Sequence, residues 1–367
     1  MRVVSLALRD FRSYHSAQIQ FGEGLTVVSG PNGAGKTNAL EGLYFGCTGR
    51  SCRTANEREV VRFGARATRA VVHSIAEDGP HELAVGFAPG QPKRMQVDGA
   101  TVERLVDAPA RPLLSVFLPD RLELVKGAPA LRRAHLDQFV TALWPTRAET
   151  RRAYGQAIAQ RNALIARIRA GRGSRSSLGS WDVQLASCAV ELMRDRARAL
   201  ERVAEPARRI GIALGLDSEL TVSYRPRSHA AQPHEFADEL AERLEQDLER
   251  GFTGHGPHRD ELAMLLGDRD LRSYGSQGQQ RISLLALLLA EREAISADRG
   301  APPVMLLDDV MSELDHLRRE ALIDLLRAAS GQSVITTTDL EHVPGASEDG
   351  IARVAVADGA VLQEAIV

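Results

Sequence analysis

"LTVVSGPNGAGKTNALEGLYFG", residues 25–46, decides the fold. A short apolar strand runs into a glycine-rich loop, and a helix-forming run follows. The loop itself, "GPNGAGKT" from Gly30 to Thr37, has the spacing G-x-x-x-x-G-K-[ST] between a strand and a helix. Gly30, Pro31, Asn32, Gly33, Ala34 and Gly35 let the backbone curl so that N–H groups face a phosphate. The helix N-terminus adds partial positive charge. Lys36 is expected to reach the β- and γ-phosphates of a nucleotide triphosphate. Thr37 is expected to offer its hydroxyl to Mg²⁺.

Two later stretches belong to the same chemistry. "VMLLDD", Val304–Asp309, is an apolar strand ending in two acids, and an unpaired buried carboxylate is costly. Asp308 is expected in the Mg²⁺ shell, and Asp309 to orient or deprotonate an attacking water. "SYGSQGQQRISLLALLLAE", residues 273–291, is a small polar loop opening a long apolar helix. Ser276 can cap that helix, Gly278 keeps the surface open, and the buried helix presents a rigid anion site.

The rest of the chain sets these pieces in order. Residues 1–28 and 67–98 alternate as short strands, with Asp98-Gly99 closing a hairpin. Residues 129–214 read as helices around the tip "GRGSRSSLGS", 171–180, which predicts a short antiparallel hairpin; Pro206 should end or kink its second helix. Strand texture returns at "LTVSY", 220–224. An α/β body interrupted by a helical insertion is the result.

Bulk properties exclude other classes. With 44% hydrophobic and 26% charged residues and no apolar run of membrane-spanning length, the chain reads as soluble. Arg9, Asp10 and Arg12 interrupt any signal-peptide core, so a cytoplasmic protein is expected. Cys47, Cys52 and Cys188 are too scattered for a disulfide framework or a zinc site. Between Pro145 and Ile210, 14 Arg stand against 6 acidic residues, so this insertion, Arg194, Arg196 and Arg198 included, is one candidate surface for the phosphates of a nucleic acid, and a groove across paired nucleotide-binding heads is the other. Aromatic content of 4% favours duplex held by its backbone over stacked single strands.

The order of phosphate loop, Ser-x-Gly-Gln loop and apolar strand with two aspartates before "SELD" (312–315) resembles ABC-type ATPases, and the helical insertion resembles their SMC-type branch. "LRDFRSY" (8–14), "PDRLELVKGAPALRRAHLD" (119–137), "GPHRDEL" (256–262), "YGSQGQQR" (274–281) and "LLDDVMSELD" (306–315) are similar, in order, to the RecF family of bacterial recombination mediators. The resemblance implies an ABC-type head with a β-meander subdomain and a helical, short coiled-coil lobe. Lobe I would comprise 1–127 and 251–367, and lobe II 128–250. It also implies ATP-dependent head-to-tail dimerisation, with Ser276, Gly278 and Gln279 of one protomer closing on nucleotide held by the other. Arg12 would approach the phosphates. A weak DNA-dependent ATPase acting on double-stranded or gapped DNA, with RecO and RecR as partners, completes the implied function. Asp309 stands where many ABC ATPases have glutamate, so hydrolysis is expected to be slow. No switch histidine follows "SVITTTD" (333–339); Thr337, Thr338 or His342 is the expected phosphate sensor. The competing classes are a nucleotide-gated scaffold with negligible hydrolysis and a transporter ATPase subunit.

Overall fold

The computed structural model describes residues 1–118, 122–348 and 350–362, so 119–121 of the block quoted above lie outside the described residues. In chain order the strands are β1 (Arg2–Phe11), β2 (Tyr14–Gln20), β3 (Leu25–Ser29), β4 (Thr68–Ala76), β5 (Gly79–Phe87), β6 (Arg94–Val97), β7 (Ala100–Thr101) and β8 (Leu114–Phe117). They continue as β9 (Leu220–Arg225), β10 (Glu261–Leu266), β11 (Arg269–Asp270), β12 (Val304–Leu307), β13 (Ser333–Thr337), β14 (Ala352–Ala357) and β15 (Ala360–Leu362). The helices are α1 (Lys36–Thr48), α2 (Glu123–Lys126), α3 (Pro129–Leu143), α4 (Ala148–Arg169) and α5 (Leu178–Ala213). After them come α6 (Pro233–Glu242), α7 (Leu244–Arg250), α8 (Leu271–Tyr274), α9 (Gln277–Arg299) and α10 (His316–Ala328).

Packing divides the chain into two units. The first, Met1–Arg121 with Ile295–Val367, holds two six-stranded sheets. One is the antiparallel meander β2-β1-β4-β5-β6-β7, closed by a hairpin at which Asp98 and Gly99 both take positive φ, as a two-residue turn demands. The other runs β15-β14-β3-β13-β12-β8, parallel except for β15. Parallel strands are buried on both faces, and "VMLL" of β12 and "SVITT" of β13 are buried throughout. Gln332 ties the two sheets: its amide accepts from Val3 N–H at 2.6 Å and donates to the carbonyls of Val3 and Gly22 at 2.7 and 2.6 Å.

The second unit, Leu122–Ala294, carries the helical hairpin α4–α5 and the small sheet β11-β10-β9. It extends beyond the expected insertion of 128–250, because β10 pairs along its length with β9 and thereby recruits residues past 250. Helix α5 runs on through Pro206. Val203, Ala207 and Ile210 are buried on either side of it, and that packing outweighs the hydrogen bond a proline removes. Between β9 and β10 the chain forms two short helices, α6 and α7.

Two arginines of the insertion, Arg161 and Arg196, are internal struts. Arg161, fully buried, donates to Asp182 and Asp247 at 2.6 Å and to Thr253 at 2.8 Å. Buried Arg196 donates to Asp137 at 2.8 Å and to the Pro257 carbonyl at 2.7 Å, so it is no surface residue. Arg133 donates to the Asp260 carbonyl at 2.9 Å. Arg132 grips Glu261. The "RRAHLD" and "GPHRDEL" blocks therefore meet as one charge-paired cluster. His258 belongs to the same framework: it bonds Tyr154 at 2.7 Å, and burial pushes its pKa down to about 4.

Breaking one partner of a buried ion pair leaves an uncompensated charge, at a cost of about 3–5 kcal/mol. Arg161→Met is expected to lower stability by that order, read as a lower denaturant midpoint. Asp247→Asn combined with Arg161→Met should recover part of the loss.

Candidate nucleotide site

The phosphate loop lies at the carboxyl end of β3, between β13 and β14, and enters α1 at Lys36. Two glycines are obligatory there. A Cβ on Gly30 would sit 2.0 Å from the Val356 carbonyl oxygen, and one on Gly35, at φ 115°, would sit 2.9 Å from the Tyr14 hydroxyl. Tyr14 instead donates to the Gly35 carbonyl at 3.0 Å. Lys36 reaches back and donates to the carbonyls of Gly30 and Pro31 at 2.8 and 3.0 Å, so the loop wraps its own lysine. Burial pushes the Lys36 pKa down, against the pull of Asp309 and Asp308.

The strand-end acids meet the loop as expected. The Thr37 hydroxyl lies 2.9 Å from both carboxylate oxygens of Asp308. Thr336, which the sequence reading passed over, donates to Asp308 at 2.7 Å and accepts the Asp309 N–H at 2.9 Å. Burial drives the Asp308 pKa up, opposed by its bonds to Thr336 and Thr37. Asp309 takes a left-handed backbone at φ 47°, and its Oδ1 is buried without a hydrogen-bond partner. Thr37, Asp308 and Asp309 thus supply hard oxygen atoms, one of them unsatisfied, which is the donor set Mg²⁺ prefers.

Other expected residues fall differently. Arg12, itself at φ 51°, is held by a two-pronged pair with buried Glu41 at 2.8 and 2.7 Å. Glu41 also accepts from Ser51 at 2.5 Å and Arg53 at 3.2 Å. A lone acid in the apolar run of α1 was the sequence signal for it. Thr337 is buried and donates to the Asp339 carbonyl, so its hydroxyl is directed inward; Thr338 and His342 remain half-buried. In the second unit, Ser276 caps α9 as expected and does so reciprocally. It accepts from Gln279 N–H at 3.2 Å, while the Gln279 side chain accepts from Ser276 N–H at 2.9 Å. The Ser276 O–H remains free to donate, and Gly278 beside it has open space, the nearest atom to a Cβ being 4.0 Å away.

Comparison with known proteins fits this geometry. Residues 5–85 match the AAA domain family. The chain is 36% identical over 346 residues to the DNA replication and repair protein RecF of Heliobacterium modesticaldum, spanning 93% of each. It is 39% identical over 367 residues to that of an Anaeromyxobacter species, across 95% of this chain and 96% of the relative. The chain belongs to the RecF family. A solved structure of the recombination mediator protein RecF-ATP in the RecFOR pathway superposes on this RecF family member with a TM-score of 0.86 and 26% identity, over 99% and 98% of the two chains. An Smc head bound to part of ScpA shares the fold at a TM-score of 0.62 and 17% identity, over 100% and 98%. Among the described residues no helix is long and apolar enough to cross a membrane. Family membership displaces the transporter-subunit alternative.

A carboxyl whose pKa is raised by folding binds its proton more tightly folded than unfolded. Stability therefore falls as pH rises from the ordinary value, 3.8, through the raised one. Asp308→Asn is expected to raise the melting temperature of the nucleotide-free protein at neutral pH. The gain should vanish below the ordinary carboxylate value, and added Mg²⁺ with ATP should stabilise the variant less than wild type.

Proposed function

We propose that this RecF family member is an ATP-switched, DNA-binding protein of recombinational repair, whose nucleotide drives head-to-tail pairing and whose slow hydrolysis drives release. The observation that carries the reading is the convergence of Lys36, Thr37, Asp308 and Asp309 at the phosphate loop. The solved relative bound to ATP supports the choice of nucleotide. We assign the first unit to the ATPase lobe and the second to the helical lobe.

The residues divide the work. Lys36 exchanges the Gly30 and Pro31 carbonyls for β- and γ-phosphate oxygens. Thr37 and Asp308 would hold Mg²⁺, which when bound neutralises charge on those phosphates. Asp309 holds a water by its unsatisfied oxygen; one methylene shorter than glutamate, it reaches that water less well, and turnover is slow. Ser276 and Gly278, with the N-terminus of α9 behind them, close on the γ-phosphate of a second protomer. Gln279 sets the loop through its cap. Arg12 reaches phosphate only by leaving Glu41, so that step competes with a well-made ion pair. The partners are duplex or gapped DNA, a second copy of the chain, and RecO and RecR by family.

Two variants test this. Lys36→Ala should abolish ATP binding; retention of tight binding would contradict the site. In sedimentation velocity, ATP with Mg²⁺ should convert wild type to dimers, while Ser276→Arg should bind ATP and stay monomeric. Dimerisation of Ser276→Arg equal to wild type would remove the loop from the interface. A scaffold with negligible hydrolysis would pair with ATP yet show no turnover when DNA is added.

A further inference from the structure

A row of arginines crosses the meander sheet. Arg9 on β1 is in register with Ser16 on β2 and Arg69 on β4; Arg69 faces Gly86 on β5, and Gly86 faces Arg94 on β6. Residues directly opposite share one face of a sheet. Helix α1 lies on the other face, where its Gly42 and Gly46 meet Leu8, Ala70 and Val72. Arg9, Arg69 and Arg94 are all exposed. Among the described residues, none has a hydrogen-bond or ion-pair partner for its side chain.

That arrangement opposes stability. Like charges directly opposite on neighbouring strands repel, whereas Arg12, Arg161 and Arg196 each face a carboxylate. Gly86 is not required by packing, because the nearest atom to a Cβ there is 3.9 Å away. Its effect is to leave the surface bare between Arg69 and Arg94. Two residues along the strands, the next row has Gln18 and Gln96 with only Ala and Val between them. These rows hold cations and amide donors, no carboxylate and no aromatic. Strands about 4.8 Å apart spread the row over about 19 Å. Phosphates are what such a face can hold, and bases have nothing to stack on.

We propose that this outer face of the meander sheet is a binding surface for the phosphate backbone of duplex DNA. The proposal rests on the DNA-binding reading above. The test is fluorescence anisotropy with a labelled duplex, ATP and Mg²⁺ across a salt series. It compares wild type, the triple variant Arg9→Ser, Arg69→Ser, Arg94→Ser, and Gly86→Glu, which sets a carboxylate in the row while keeping every arginine. Each lost phosphate contact removes about 0.9 from the slope of log affinity against log salt, so the triple variant should flatten the slope by about 2.7. Gly86→Glu should weaken binding in the same direction. ATP binding should be unchanged in both, and the triple variant should melt no lower than wild type because a repulsion has been removed. An unchanged slope in the triple variant with ATP binding intact overturns the surface while leaving DNA binding in place. Failure of wild type to bind duplex under any of these conditions overturns both. Arginine-dependent binding to anionic phospholipid vesicles, with duplex affinity unaffected, assigns the face to membranes and overturns the proposal.

Discussion

A carboxylate buried at the end of a β-strand has to be satisfied, and at Asp308 the first unit is arranged around that need. Thr37 meets it from the first turn of α1, and Thr336 meets it from the neighbouring strand β13. Those bonds fix the phosphate loop against β12 and β13, although the loop and Asp308 are 271 residues apart in the chain. They do not fully repay burial, since the Asp308 pKa stays raised. The site therefore holds a charge that the protein alone compensates incompletely, beside a lysine whose own charged form burial disfavours. A ligand bringing both a cation and phosphates relieves the two together.

Much of this was legible in the sequence because the signals were local. The loop spacing, the two aspartates after an apolar strand, the Asp98-Gly99 turn and the Ser276 cap each depend on a few consecutive residues. What escaped depends on who is adjacent in space. Thr336 stands among other threonines on β13, and only the parallel pairing of β12 with β13 singles it out. Arg161 looks like any helix-face arginine until Asp247, 86 residues away, is placed against it. Pro206 signals a helix end locally, and burial on both sides overrides it. The second packed unit runs past 250 for a related reason: a strand has no meaning until its partner is known, and β10 belongs with β9.

The arginines show the same lesson in charge. Counted along the chain, the excess lies in the insertion; mapped by partner, much of that excess is consumed by Asp137, Asp182, Asp247 and other acids. The meander sheet has fewer arginines, yet leaves a row of them facing solvent. Available charge, not counted charge, is what a polyanion meets.

The strand order also governs how the chain can be made. β3, which carries the phosphate loop, lies between β13 and β14. Neither neighbour exists until synthesis passes Ser333. The meander strands β4–β7 and the whole second unit are translated before then and can form on nearer contacts. β3 meanwhile keeps both edges unpaired, and exposed strand edges invite intermolecular pairing. The protein's period of greatest aggregation risk is thus late in translation, when most of the chain is folded and its nucleotide-binding strand still waits for the last segment.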